Sequence, residues 1–185
     1  MNKIILGAVA ALSLSAAAVS AQAATFLLTY TSPDAPTSAD LVLTVDNTAI
    51  SPGVFEILGV TGSVGADTVL AITPNPTAPV ASISADGLFI FDNNFFSAPP
   101  VLSNPGLLFH SATVEYNLFS NTPTQYQLYS APADVNGNFH YGATSIGSLS
   151  VTAVPEPASW AMMLTGFFGL GSLLRARRTR VLVRA

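Results

Sequence analysis

Thr113-Val114-Glu115-Tyr116-Asn117-Leu118 sets Val114, Tyr116 and Leu118 on one side of an extended chain and Thr113, Glu115 and Asn117 on the other. A period of two is the signature of a strand with one face in a core and one in solvent. The pattern recurs along the chain. Phe26, Leu28 and Tyr30 alternate with Thr25, Thr29 and Thr31, and Leu41, Leu43 and Val45 alternate with Val42, Thr44 and Asp46. Leu149 and Val151 alternate with Ser148, Ser150 and Thr152. Shorter β-rich runs fall at 54–60, 68–73, 80–84, 88–91, 125–129 and 139–141. Turn signals separate them: Ser51-Pro52-Gly53, Pro74-Asn75-Pro76, Asp86-Gly87, Asn104-Pro105-Gly106, Asn121-Thr122-Pro123 and Asn136-Gly137. No stretch between 25 and 154 keeps a helical period and no fixed repeat recurs, so the spacing predicts an all-β, antiparallel β-sandwich.

The charge distribution is as patterned as the hydropathy. Of six basic residues in 185, Lys3 is the only one before Arg175. Between Thr25 and Val154 there are nine carboxylates and no Lys or Arg. Nucleic acid is excluded as a partner of this stretch, because phosphate neutralisation needs cations. An anionic membrane surface is a poor partner for the same reason. There is no Cys, so no disulfide framework, thiolate metal site or Cys nucleophile is available.

Both ends read as membrane-directed. Met1-Asn2-Lys3, an apolar run over 4–19 and the small-x-small pattern Ala21-Gln22-Ala23 form the three parts of a secretory signal peptide, cut after Ala23. At the other end, ASWAMMLTGFFGLGSLL over 158–174 is uncharged. At about 1.5 Å per residue it reaches roughly 25 Å as a helix, the thickness of a thin bilayer. Trp160 marks one edge, and the cluster Arg175, Arg177 and Arg178 anchors the other on the cytoplasmic side. Val154-Pro155-Glu156-Pro157 precedes the span as a stiff, extended strut that a protease can grip. The expected organisation is a signal peptide over 1–23, a β ectodomain over 24–154 and a membrane-spanning tail over 155–185.

The order Pro-Glu-Pro, Trp160, short span and Arg cluster resembles a PEP-CTERM sorting signal, in the PEPxxWA variant of Gram-negative bacteria. The resemblance implies export, a membrane intermediate, and recognition of Pro155, Glu156 and Pro157 by an exosortase, a membrane-embedded cysteine protease-transpeptidase. It implies a final place at the cell surface or in an exopolysaccharide-rich biofilm matrix. Asp92-Asn93-Asn94-Phe95-Phe96, Pro99-Pro100 and Gly106-Leu107-Leu108-Phe109 also resemble a pattern of small PEP-CTERM proteins, which carries no assigned activity.

Residues suited to catalysis are few. His110 and His140 are the only histidines, and each reads as a strand residue without a paired nucleophile. Thr61-Gly62-Ser63-Val64-Gly65 approaches a nucleophile elbow but has Thr61 where the first Gly belongs, and reads as a glycine-rich turn. Glu56 and Glu115 lie in strand contexts, with nothing to bring them together. Asp134-Val135-Asn136-Gly137-Asn138 starts like a calcium loop, but its Gly is fourth, so a hairpin with Asn-Gly in a type I′ turn is expected. Asp92-Asn93-Asn94 reads as another turn, and Phe95-Phe96 beside Pro99-Pro100 as a contact patch or a buried loop anchor.

These features predict a non-enzymatic, exported envelope or matrix protein with no cofactor and no metal. Signal peptidase and an exosortase act on it. Two rival readings are an exopolysaccharide-binding module and a small extracellular hydrolase using His110 or His140.

Overall fold

The alternating runs pair edge to edge into one antiparallel sheet that curls until its two edges nearly meet. The computed structural model describes residues 23–36, 38–155 and 163–168. Its strands are β1 (Ala24–Thr31), β2 (Ser38–Ser51), β3 (Val54–Val64), β4 (Asp67–Val69), β5 (Ala71–Ile72), β6 (Ser82–Ile83), β7 (Ile90–Phe91), β8 (Asn94–Phe96), β9 (Leu107–His110), β10 (Val114–Thr122), β11 (Gln125–Pro132) and β12 (Thr144–Val154). The sheet runs β4-β3-β2-β1-β12-β11-β10-β9-β5, with β8 added to β3, and β6-β7 forms a separate hairpin.

Register explains the core. Phe26, Leu28 and Tyr30 of β1 face Leu43, Leu41 and Ala39 of β2 and Ala153, Val151 and Leu149 of β12. All nine therefore lie on one face of three neighbouring strands. Leu28, Tyr30, Leu41 and Leu43 lose all exposure, as do Leu118 and Leu128 on the far side of the same cluster. Each such side chain contributes about 1.5–3 kcal/mol by leaving water. The Tyr30 hydroxyl is satisfied inside, donating to Ser145 Oγ at 2.9 Å while Ser145 donates to the Pro36 carbonyl at 2.8 Å.

Two separate sheets are expected of a sandwich, and here the expectation is corrected. Two segments each belong to both halves. β12 pairs with β11 through 144–147 and with β1 through 148–154. Residues 67–69 pair with β3, and 71–72 pair with β9. Between them Leu70 N donates to the His110 carbonyl at 2.9 Å. Strands that switch sheets at both corners turn a sandwich into a nearly closed barrel, which leaves little free edge. Tyr116 of β10 reaches across to bond Asp67 Oδ2 at 2.6 Å and so fixes the closing strand. Burial and the Asp67 carboxylate push the Tyr116 phenol well above its ordinary range.

A second layer lies outside the barrel. The β6-β7 hairpin covers the outer face of β9, β10 and β11, enclosing Phe89, Phe91, Leu108 and Ala131. Both faces of β10 are consequently buried. Glu115 and Asn117, expected in solvent, are only 7% and 3% exposed.

Smaller expectations also change. Thr61 to Gly65 is mainly strand, paired with β2 and β4 through Val64, and not a glycine-rich turn. Residues 139–141 form only a single bridge, Ala133 with Phe139. The Asn136-Gly137 turn is not type I′, which needs positive φ at both residues; only Gly137 has it, at 82°. Asp134 and Asn138 instead close a three-residue loop, with Gly137 N on the Asp134 carbonyl and Asp134 N on the Asn138 carbonyl.

The predicted signal helix, with Ala21, lies outside the described residues, as do Glu156, Pro157, Trp160, Arg175, Arg177 and Arg178. Of the predicted span only 163–168 is described, and it is helical. Among the described residues no helix is long and apolar enough to cross a membrane.

Candidate functional site

β1 enters and β12 leaves the barrel at the same end, where Thr25 pairs with Val154. An apolar cleft of about 420 Å³ opens there, lined by Ala24, Phe26, Phe55, Phe95, Val151 and Ala153. Phe26 and Phe95 pack with ring centroids 4.5 Å apart, and β8 carries Phe95 onto Phe55 of β3. Phe95 is 5% exposed, so it is the buried loop anchor and not the surface patch. Asp46 and Asn47 are the polar residues at this cleft, along with Ser97. A second cleft of about 430 Å³, bounded by Pro99, Tyr126 and Leu149, shares Val101 and Val151 with the first. Val101 N donates to the Tyr126 hydroxyl at 3.1 Å, which holds the proline loop against β11. The two clefts form an apolar groove along the barrel end, of a shape suited to binding, and the described residues that line it include no paired nucleophile and base.

The Asp92-Asn93-Asn94 turn is a buried polar knot. Asn93 takes a left-handed conformation, φ 53°, which asparagine tolerates better than most residues. Its Nδ2 donates to the Thr73 carbonyl at 2.7 Å, and its Oδ1 accepts from Leu108 N at 3.0 Å. Asp92 Oδ1 accepts from Ser103 Oγ at 2.6 Å and from Asn94 N at 3.1 Å. Asn94 Nδ2 donates to the Pro79 carbonyl. Three consecutive side chains thus tie together the 73–80 segment, the 103–108 loop and the end of β7. Burial pushes the Asp92 carboxyl up, against the pull of the Ser103 hydroxyl and the Asn94 amide. With its hydrogen bonds directed at backbone and Ser103, the knot is structural.

The two histidines are apart and locally engaged. His110 Nδ1 lies 3.1 Å from the Ser111 carbonyl, and His140 Nε2 lies 3.3 Å from Asp134 Oδ2 on an exposed loop. The amides of Asn138 and Asn136 hold the Asp134 carboxyl down at about 2. Those same amides occupy the side chain that a calcium loop would use first. Among the described residues no group of three or more acidic or histidine side chains is placed to hold a metal ion.

Glu56 and Glu115 are not brought together. Glu56 of β3 pairs with Asn94 of β8, whereas Glu115 lies opposite His110 and beneath the covering hairpin. The carboxyl neighbour of Glu115 is Asp86, at the hairpin turn. Burial, then the nearby Asp86 carboxylate, push Glu115 up to about 7. Glu115 Oε2 is buried and has no hydrogen-bond partner. Sequence alternation misses this pair because the strand face carrying Glu115 reads as solvent-facing until a distant hairpin is folded over it.

Of the predicted sorting residues only Pro155 is described, and it is exposed one residue beyond β12. Ala23, the expected cleavage residue, directly precedes β1. No protein-family model, curated protein or solved structure matches the chain.

Proposed function

We propose that the chain is an exported, non-enzymatic envelope or matrix protein whose barrel is released between two processing sites. Signal peptidase acts after Ala23, and an exosortase acts at Pro155-Glu156-Pro157. The observation that carries this reading is the pairing of Thr25 with Val154. The strand order begins with the residue after the expected signal cleavage and ends with the residue before the sorting motif. Both cuts would therefore spare every ladder hydrogen bond of the barrel, and both would fall at one end of it. Pro155, exposed one residue beyond the ladder, has no backbone group engaged in it that would keep a protease from the start of the motif.

The engagement of His110 and His140 in local contacts supports a non-enzymatic role. The 158–174 segment would hold the intermediate in the inner membrane with the arginines inside and the barrel outside. Replacing Pro155, Glu156 and Pro157 together by Ala, followed by cell fractionation, should leave the precursor in the membrane with nearly all of the processed form lost. Unchanged processing and release of the triple variant would sink the proposal.

A further inference from the structure

The two edges of β12 are used unequally. Along one edge, residues 148–154 pair with β1 from Thr31 to Thr25. Along the other, pairing with β11 covers 144–147 and stops at Gly147, opposite Tyr126. β11 begins at Gln125, so β12 runs on from Ser148 to Val154 past the end of its neighbour. Among the described residues no strand pairs with this side of 148–154, and no backbone hydrogen bond from a neighbouring loop reaches it. Alternate residues of an antiparallel strand aim both backbone groups at the same edge, so a row of donors and acceptors is left over here. Natural edges are ordinarily blunted by a charge, a proline or a bulge. The stretch SLSVTAV over 148–154 has no charge and no proline, and its register with β1 is unbroken.

The groove at the barrel end lies along this same edge. Val151 lines both of its clefts, Ala153 the first and Leu149 the second. These three residues pair with Leu28, Phe26 and Tyr30 of β1, so their side chains lie on the interior face of the wall. Leu28 and Tyr30 are fully buried, whereas Leu149 and Val151 stay half-buried beside the groove. Across it stand Pro99, Val101, Pro123 and Thr124. Unpaired backbone and open apolar space therefore flank the same residues, as they do where a barrel wall is one strand short.

We propose that the free edge of β12 takes up one extended peptide strand of another protein, apolar at alternate positions and free of carboxylates. The edge calls for a partner whose donors and acceptors repeat every second residue, about 6.8 Å apart. A peptide backbone has that repeat, and sugars and acyl chains do not. An added strand turns every second side chain into the groove toward Leu149 and Val151, which asks for apolar residues at those positions. Charge selects further. The 25–154 stretch carries nine carboxylates and no Lys or Arg, and Asp46 lies at the groove. An acidic strand is therefore repelled, and a neutral or lysine-flanked one is not. A second copy of the chain fits less well on both counts. It brings the same uncompensated carboxylates, and its whole barrel, unlike a single strand, has to clear the wall of Pro99, Pro123 and Thr124. The proposal does not depend on how the tail is processed, so it and the sorting reading can fail separately.

The test is amide hydrogen exchange, resolved to single residues, on the purified full-length chain in detergent. The probes are end-capped peptides in which Val, Leu or Phe alternates with Thr, flanked by Lys at both ends. One control set carries Glu in place of Lys. Another is N-methylated throughout, which keeps the side chains and removes the donors. At least one lysine-flanked peptide should slow exchange about tenfold or more at alternate amides of 148–154, those not bonded to β1. Glu ends should weaken binding about threefold or more, and N-methylation should abolish the slowing. Slowing by none of the lysine-flanked peptides, equal slowing by the N-methylated ones, or binding of the glutamate-flanked ones as tight or tighter would each overturn the assignment. So would free-edge amides that are already slow without peptide. Slowing that grows with protein concentration would mean that the edge pairs with a second copy, and slowing that does not would mean that the chain covers the edge itself.

Discussion

Gly106→Ala is expected to cost on the order of 4 kcal/mol or more, enough to lower the melting temperature by more than about 10 °C. Gly106 has φ 81°, and a Cβ there would sit 2.4 Å from Phe119 Cβ and 2.5 Å from the Leu118 carbonyl oxygen. Neither obstacle can move cheaply. Leu118 is fully buried, and its backbone belongs to the β10 ladder. The Gly106 carbonyl also accepts from both Asp92 N and Asn93 N, so a shift that relieves the clash breaks the polar knot. Gly137 is the control. Its φ is 82° and nothing lies within 4 Å of a Cβ built on it. Gly137→Ala should therefore cost only the backbone strain of a non-glycine residue there, about 1–2 kcal/mol. Thermal melts of the full-length variants separate the two terms. Equal losses for both would show that contact with β10 does not hold the 103–106 loop in place.

The barrel interior is legible where a strand keeps a wet or half-wet outer face, as β1, β2 and β12 do over most of their length. Phe26, Leu28 and Tyr30, then Leu41, Leu43 and Val45, announce their inward faces by alternation, and their registers place them on one wall. The outer layer is not legible. Leu107, Leu108 and Phe109 are consecutive and all fully buried, which happens only when a strand is covered on both faces. The hairpin that covers them pairs over just two residues per strand, too short for any period to register. Barrel closure is hidden for a similar reason. Residues 68–73 read as one strand, and only three-dimensional pairing shows that its halves serve opposite edges.

The same physics sets what could be known of the sites. Motifs contiguous in sequence, such as Pro155-Glu156-Pro157, are visible without a fold. Pockets assembled from distant strands are not. Phe89, Phe119, Tyr129 and Tyr141 are unremarked aromatics until the residues just before β7, β10, β11 and the 139–143 segment converge on one pocket. Asn93 looks like a turn residue, and it does turn the chain. Its side-chain bonds to Thr73 and Leu108 depend on partners 20 and 15 residues away.

Glu115→Gln should stabilise the protein at pH 8 and flatten its stability between about pH 4.5 and 7. Burial and Asp86 raise Glu115 in the folded state to about 7, against 4.5 for an unperturbed side chain. The folded state then holds a proton that the unfolded state has released, so stability falls as pH rises through this window. The contribution is fully present below about pH 4.5 and is lost above about pH 7. At about 1.36 kcal/mol per pKa unit, the full swing is roughly 3 kcal/mol. Gln keeps the shape and carries no charge. A gain of about 2 kcal/mol at pH 8 corresponds to an increase of about 5–10 °C in melting temperature. Asp86→Asn separates the causes. It removes the neighbouring charge and leaves the burial, which is the larger cause, so the pH-dependent drop should move to lower pH without vanishing. Asp92, raised by its own burial, loses stability in the same direction and remains in both variants as a residual slope. Melts from pH 4 to 9 decide the matter. Parallel curves for the parent and Glu115→Gln would mean that Glu115 titrates as freely in the barrel as in the unfolded chain.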